Sequence, residues 1–197
     1  NYQEYVKQNF YLPLGAQTLT YRPLDYFPLE RIVPTEFDDF FRMKQLRGTV
    51  HDEGAAMMNG ISGNAGLFST ANDLAKLMQM YMQWGTYGGE RYLDEEVVKE
   101  FASCQYCDQG NRRGLGFDKP PIENKQNGST APDASDATFG HSGYTGTYTM
   151  VDPENGLLMI FMSNRVYPTR NNRKLYQLNI RPAIHQTLYD AIELGVE

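Results

Sequence analysis

The sequence predicts an α+β fold, and two observations support that prediction. Three segments, residues 71–85, 94–104 and 179–194, place apolar side chains at the helical period. Between the second and third segments the pattern becomes that of an antiparallel hairpin, with strands on both sides of a turn at residues 152–156. Helices that accompany an antiparallel sheet indicate the α+β class.

The composition is that of a globular protein and argues against two classes of partner. The 197 residues are 41% hydrophobic and 21% charged, with a formal net charge of -6, so the chain can bury a sizeable core. The 18 basic residues are scattered, apart from Arg112-Arg113 and a cluster at residues 165–174. We therefore expect no nucleic-acid partner, which would need a concentrated basic face. The apolar run at residues 157–162 has the length of a strand, far below the roughly 18 residues of a membrane span, so we expect no transmembrane segment.

The first residues read like the middle of an amphipathic helix, with Tyr2, Tyr5 and Val6 on one face. The chain does not begin with Met, so we expect a fragment or a processed chain, and the lack of a signal peptide does not indicate a compartment. Four prolines between residues 11 and 48 predict irregular structure there with short extended or helical pieces, because each removes a donor and restricts its predecessor.

The first periodic helix has a capping signal at Thr70 and Asp73, whose hydroxyl and carboxylate can satisfy first-turn amides. Its predicted apolar face is Leu74, Leu77, Met78, Tyr81 and Met82. A second helix begins after Asp94. Its inward side chains are predicted to be Val97, Val98 and Phe101.

Cys104 and Cys107 are the two cysteines of the chain. A zinc site needs about four ligands, and a second Cys-x-x-Cys is absent. A redox motif would open a helix, whereas this pair follows one. We expect two incidental thiols or a local disulfide, and no metal or other cofactor.

The remaining segments complete the sheet and its cover. Residues 121–137 form a polar loop with almost nothing to bury, which predicts a surface excursion more than a lid. We expect one strand from Tyr144 to Val151 and a returning central strand at residues 157–164. The terminal helix has Pro182 in its first turn and is expected to face the sheet with Ile184, Leu188, Ala191 and Ile192. His185, next to Ile184, is expected to be an ordinary residue of the helix face.

The stretch GHSGYTGT, residues 140–147, carries the chemistry of the chain. Its glycines let the backbone approach another group closely. His141 and Ser142 can face a cleft at the sheet edge, and exposed amides there can stabilise an oxyanion. The alternative is a glycine-rich strand entry with a surface histidine. For His51 and Asp52, adjacent residues on a strand point in opposite directions, so we expect structural polar contacts and no dyad.

HSGYTGT, with the strand–turn–strand that follows it, resembles the third active-site motif of the serine beta-lactamase and penicillin-binding-protein superfamily. The similarity is to class C-like and esterase-like members, which have His-x-Gly where others have Lys-Thr-Gly. GISGNAGLFSTANDLAKLMQMY upstream, RGLGFD before the loop and SNRVYPTR after the second strand fit the same family. The resemblance covers the chain from Val50 to the terminal helix, and FYLPLG matches more loosely. It implies a beta-lactamase-like fold, with a helical region and a C-terminal helix packed on an antiparallel sheet.

The resemblance also implies an acyl-enzyme mechanism on a beta-lactam, a peptidoglycan peptide or an ester, in a bacterial protein that is periplasmic or exported. A serine in Ser-x-x-Lys attacks the carbonyl, and the tyrosine of a Tyr-x-Asn motif helps to move its proton. His141 then stands where the family has lysine, Ser142 where it has threonine and Gly143 at its glycine, while the Tyr144 amide is one oxyanion donor. Beyond the hairpin, three residues either bind a substrate carboxylate or are solvated surface: Asn164, Arg165 and Arg170.

The sequence lacks two motifs of the family: no serine is followed three residues later by lysine, and no tyrosine is followed two residues later by Asn or Ser. We therefore expect residues 1–197 to be the C-terminal portion of one beta-lactamase-like domain. Residues 1–137 would be mainly helical or irregular, and residues 138–197 the hairpin with the C-terminal helix. The partners expected are the substrate and an N-terminal remainder that carries the nucleophile, without which the chain is inactive.

Two alternatives remain. The chain can be a non-catalytic accessory or binding domain of a larger cell-wall-processing protein, such as a glycosidase fusion. It can also be an unrelated α+β protein whose glycine-rich strand occurs by chance.

Overall fold

The computed structural model describes residues 1–195 and confirms the α+β class. Its helices and strands form two compact units, which are described in turn. Across residues 1–195, no helix is both long enough and apolar enough to cross a membrane.

The first unit consists of residues 1–77, 144–146 and 162–173. Its opening helix α1 continues directly into a π-helical turn, and the proline-rich segment contains the expected short pieces. The elements are α1 (Tyr2–Val6), the π-helix Lys7–Tyr11, the 3-10 turns Pro23–Asp25 and Leu29–Arg31, β1 (Pro34–Asp38), β2 (Lys44–Arg47) and α2 (Glu53–Met57). β1 and β2 pair antiparallel. The carboxylate of Asp52 caps α2 by accepting from the Ala55 amide at 2.7 Å, so the structural role expected for Asp52 is confirmed.

Helix α3 (Ala71–Met82) begins where the sequence predicts, but its cap is only half as predicted. The Thr70 hydroxyl accepts from the Asp73 amide at 3.4 Å. The Asp73 carboxylate, however, accepts from the amide and hydroxyl of Thr18, at 2.8 and 2.7 Å, instead of reaching back to Thr70. Thr18 offers two donors to one carboxylate oxygen, which a single local amide cannot match. The capping signal therefore also fastens the early loop to the helix.

The second unit consists of residues 78–143, 147–161 and the chain from 174 onward. A short hairpin precedes a helix, a three-stranded antiparallel sheet follows in the order β5-β6-β7, and two helices complete the unit. The elements are β3 (Thr86–Tyr87), β4 (Glu90–Arg91), α4 (Glu95–Ala102), β5 (Phe139–Ser142), β6 (Tyr148–Asp152), β7 (Leu157–Phe161), α5 (Lys174–Gln177) and α6 (Ile180–Glu193). Buried Tyr148, Met150 and Met159 form the core of the sheet.

The sheet corrects the prediction of a single strand from Tyr144 to Val151. Strand β5 ends at Ser142, the Gly143 amide bonds back to the Thr147 carbonyl at 2.8 Å, and β6 begins only at Tyr148. Gly146, whose φ is +121°, permits this tight reversal, which an alternating strand pattern conceals. GHSGYTGT is thus the end of one strand and a loop, and the predicted turn at residues 152–156 is confirmed.

The loop at residues 121–137 and the terminal helix correct two further predictions. The loop does bury side chains, since Thr130, Ala131 and Ala134 are inaccessible to solvent. His185, expected on an ordinary helix face, is 0% exposed, and its Nδ1 accepts from the Ala131 amide at 3.1 Å. The small loop residues fit against α6, so the buried face of the helix is Arg181, Pro182, His185 and Tyr189, whereas Ile184 and Ile192 are exposed.

Two predictions around α4 have different outcomes. Val98 is buried as predicted, but Val97 and Phe101 are exposed and, with Leu115 and Phe117, line an open apolar groove. Cys104 and Cys107 form a disulfide, which agrees with the local disulfide expected as one of two possibilities.

Gly140 in β5 has no space for a side chain. A Cβ at this position would lie 2.0 Å from the Thr149 carbonyl oxygen on the paired strand. Gly140→Ala is therefore expected to lower the free energy of unfolding by about 2 kcal/mol, because the strands must separate to admit the methyl group. Urea denaturation measures this loss. Gly63→Ala is the control, since its added Cβ meets nothing within 4 Å; equal stability of the two variants would contradict the prediction.

Candidate active site

His141 lies near the end of β5, opposite Thr149 of β6, and is exposed. Its Nδ1 is 3.0 Å from the Ser142 carbonyl oxygen and its Nε2 is 3.5 Å from Nη1 of Arg113. A carbonyl only accepts, so in the neutral ring Nδ1 carries the proton and Nε2 is the acceptor. This places an exposed basic nitrogen at the end of the strand, the state that proton transfer requires.

Residues 144–146 form a loop whose three carbonyls are each tied to the segment after β7. The Tyr144 carbonyl accepts from Arg165 Nε at 2.9 Å, the Thr145 carbonyl from the Arg165 amide at 2.9 Å, and the Gly146 carbonyl from the Ser163 hydroxyl at 2.7 Å. Among the described residues of the first unit, no acceptor hydrogen-bonds to the Tyr144 amide. The loop is thus fixed through its carbonyls, while one amide is left to donate elsewhere.

The Tyr144 side chain is 54% exposed but held on several sides. Its ring lies 4.5 Å from the Arg165 guanidinium and 6.0 Å from that of Arg170. The His51 ring stacks on it, with 5.4 Å between centroids and an angle of 30°. Cation–π and stacking contacts of this kind restrict the ring while leaving much of its surface to solvent.

A chain of charged side chains supports this aromatic cluster. Arg170 donates from Nε and Nη2 to the buried Glu36, and from Nη2 to Glu53 at 2.8 Å. His51 Nε2 approaches the same Glu36 carboxylate to 3.0 Å. Arg42 fixes the backbone beneath, donating to the His51 carbonyl at 2.7 Å. One arginine therefore balances two carboxylates beside a buried imidazole.

The charges of this network depend on one another. Burial opposes ionisation of Glu36, but the hydrogen bonds from Arg170 and the nearby positive charges outweigh it, so the pKa of Glu36 is lowered. The hydrogen bond from Arg170 lowers the pKa of Glu53 as well. Burial, together with the charge of Arg170, lowers the pKa of His51, although Glu36 acts against that shift. The carboxylates are therefore ionised and the imidazole neutral near neutral pH.

The structure places the residues predicted for the site in two groups. His141, Ser142 and Gly143 lie at the end of β5 in the second unit, and Tyr144, Arg165 and Arg170 come together in the first. Asn164 is also in the first unit and donates to the Pro34 carbonyl. Arg165 is buried and donates to the carbonyls of Arg170 and Asn172 as well as Tyr144, so it is not solvated surface. Binding of a substrate carboxylate by these residues stays a prediction.

Sequence reasoning missed Glu36, Glu53 and Arg113. Glu36 and Arg170 are 134 positions apart, and no local pattern joins them. The structural polar contacts expected for His51 are confirmed, but its partners Glu36 and Tyr144 could not be named.

The chain is similar to known proteins over most of its length. The protein-family model Beta-lactamase matches residues 1–181. A protein named "Putative D-alanyl-D-alanine carboxypeptidase" from Escherichia coli strain K12 is 35% identical over 177 residues, covering 82% of this chain and 39% of the relative. A protein of the same name from Salmonella enteritidis PT4 is 34% identical over 187 residues, covering 87% of this chain and 42% of the relative. The chain thus spans about two-fifths of the length of these relatives.

A solved structure supports the fold independently. A beta-lactamase from Mycobacterium bovis superimposes with a TM-score of 0.57 at 18% identity, covering 95% of this chain and 55% of the other. At that identity the similarity concerns the fold alone.

Proposed function

The chain belongs to the beta-lactamase family, and from this premise we propose that it forms part of the active site of a serine hydrolase. The reaction is acyl transfer from an amide or ester, through an acyl-enzyme. The observation that carries the proposal is the Tyr144 amide, which has no acceptor within its unit and sits in a loop fixed through its carbonyls, directly after His141-Ser142-Gly143. A fixed, unpaired amide can donate to a developing oxyanion.

Each residue of the motif then has a role. His141 Nε2 accepts a proton or polarises the substrate, and its Nδ1 bond to the Ser142 carbonyl sets the tautomer. Ser142 and Gly143 flank the substrate along β5. Arg165 and Arg170 hold the Tyr144 loop and ring, with Asn164 fastening the segment that carries them. The site needs no metal or other cofactor for this chemistry.

The nucleophile comes from polypeptide outside these residues. The chain contains no Ser-x-x-Lys, and the relatives are more than twice the length of the matched region. We therefore place residues 1–197 as the C-terminal portion of one beta-lactamase-like domain, inactive when isolated because a serine hydroxyl needs its activating base.

The names of the relatives favour a peptidoglycan stem peptide with a D-alanyl-D-alanine end as substrate, ahead of a beta-lactam or a simple ester. A cell-wall substrate requires the protein to be exported, to the periplasm where the cell has one. A second candidate function is a non-catalytic accessory domain of a larger cell-wall-processing protein, favoured by the missing Ser-x-x-Lys.

The test uses the intact protein that contains this chain, with release of D-alanine from a D-alanyl-D-alanine peptide as the measurement. We expect turnover by the intact protein, none by residues 1–197 alone, and a fall in kcat/KM of about a hundredfold or more in His141→Ala. Glu154→Gln, an exposed change in the turn of the same sheet, is the control. An intact protein with no Ser-x-x-Lys and no turnover would support the accessory domain instead.

A further inference from the structure

The second unit contains a cavity of about 460 Å³ that the proposed reaction does not use. It is lined by residues from the first part of the 121–137 loop, from α5 and from the first turn of α6. Small-molecule sites commonly have volumes of about 300 to 1,000 Å³. The cavity is therefore large enough for a small organic ligand.

Arg181, in the first turn of α6, lines this cavity and is only 7% exposed. Its guanidinium lies 5.5 Å from the ring of Tyr148 and 5.0 Å from that of Tyr176. It donates to the Thr147 carbonyl at 3.4 Å, a distance beyond the usual range for a strong bond. Across residues 1–195, no carboxylate oxygen lies within 4 Å of its nitrogens.

A buried guanidinium without an anion is a costly arrangement, because burial removes most of the hydration of the charge, and among residues 1–195 it is replaced only by the long bond to the Thr147 carbonyl and the two ring contacts. The two rings orient the group but cannot accept its N–H donors as oxygen atoms do. The unused donors of Arg181 thus point to an anionic ligand.

Two neighbouring features favour the same ligand. Arg112 is in the wall of the cavity, fixed by a 2.8 Å bond from Nε to the Lys119 carbonyl and a 2.9 Å ion pair from Nη2 to Asp118. The first intrahelical bond of α6 runs from the Ala183 amide to the Asn179 carbonyl. The amides of Ile180 and Arg181 precede it, at the positive end of a 14-residue helix. Glu123 also lines the cavity, but it is exposed, and solvent screens its charge.

We propose that this cavity binds a small organic anion through a carboxylate or phosphate group. The group is held by Arg181, whose planar fork suits either oxyanion, with Arg112 and the α6 terminus beside it. The binding site is independent of the acyl-transfer chemistry and needs no activity to be observed.

Calorimetric titration of the intact protein that contains this chain, with inorganic phosphate and with acetate in a low-chloride buffer, tests the proposal. We expect saturable binding of at least one of them, and none of acetamide, which has the shape of acetate without its charge. The tighter of the two probes identifies the ligand as a phosphate ester or a carboxylate. Arg181→Lys keeps the positive charge but loses the fork, and we expect it to weaken binding about tenfold or more.

Arg173→Gln is the matched control, since it removes one exposed positive charge in the segment just before α5 and should bind as the wild type does. Arg112→Gln alters a partly exposed residue and should weaken anion binding severalfold. This variant tests the proposal if Arg181→Lys does not fold. If the intact wild-type protein bound neither anion, the proposal would be overturned. Equal binding of acetate and acetamide, or wild-type affinity in Arg112→Gln and every folded Arg181 variant, would overturn it as well.

Discussion

Acidification from pH 7.5 is expected to cost the second unit about 2 kcal/mol of unfolding free energy by pH 5, and about 3 kcal/mol by pH 4, through His185 alone. Burial lowers the pKa of His185 from 6.5 to about 4. Between those two values the unfolded chain binds a proton that the folded chain does not, so stability falls as the pH falls. The loss begins near pH 6.5 and is nearly complete at pH 4.

The hydrogen bonds of His185 explain why the folded protein resists this proton. Nδ1 accepts from the Ala131 amide and from the Tyr148 hydroxyl, both at 3.1 Å, so it is the unprotonated nitrogen. Nε2 carries the hydrogen and is buried with no hydrogen-bond partner among residues 1–195. A proton on Nδ1 would replace an acceptor with a donor against the Ala131 amide, and would break one of the hydrogen bonds that hold the 121–137 loop to α6.

Urea denaturation at a series of pH values measures the loss, and subtraction of the His185→Gln curve isolates the histidine. Glutamine supplies an oxygen to the Ala131 amide but does not titrate. His51, whose pKa burial also lowers, contributes to the remaining slope in the same direction. His141→Gln removes an exposed imidazole and should retain the full difference. Identical pH dependence in wild type and His185→Gln would contradict the prediction.

Local signals in the sequence predict the positions of most secondary-structure elements. Helices α3, α4 and α6 and the turn at residues 152–156 begin and end close to the predicted positions, since caps, prolines and glycines act within a few residues. The π-helical continuation of α1 and the break between β5 and β6 were missed. Both depend on how the chain packs, which the period of apolar residues does not encode.

The candidate site was predictable only in part, for a related reason. GHSGYTGT could be predicted as a candidate site because it combines glycine, hydroxyl and imidazole groups. The same composition predicts its position at the end of a strand. The supporting network of Glu36, Arg170 and His51 joins residues from distant parts of the chain. An isolated glutamate or histidine in a loop has no sequence feature that reveals its partner.

Loss of the Asp152 carboxylate is expected to be the most damaging single change in the second unit, at about 4 kcal/mol of unfolding free energy for Asp152→Ala. Asp152 is fully buried at the end of β6. It accepts from the amide and hydroxyl of Ser135, at 3.0 and 2.6 Å, and from the Tyr189 hydroxyl at 2.8 Å. It also accepts from the amides of Glu154 and Asn155 and from the Asn155 side chain. One carboxylate thus joins the 121–137 loop, the sheet, its turn and α6.

The electrostatics of Asp152 support so large a loss. Burial opposes its ionisation, but the hydrogen bonds from Ser135, Asn155 and Tyr189 outweigh that cost and hold its pKa below the usual range. Truncation to alanine leaves these donors buried without their acceptor, and each unsatisfied buried group is costly. Asp136→Ala is the matched control, because its side chain lies in the same loop, is 90% exposed and pairs only at the surface with Lys125; it should cost less than about 1 kcal/mol. Urea denaturation of both variants decides the question. Because the donors that meet at Asp152 come from three separate segments, the 121–137 loop, the turn after β6 and α6, a loss no larger than that of Asp136→Ala would mean that water satisfies them, and that the carboxylate does not hold the segments together.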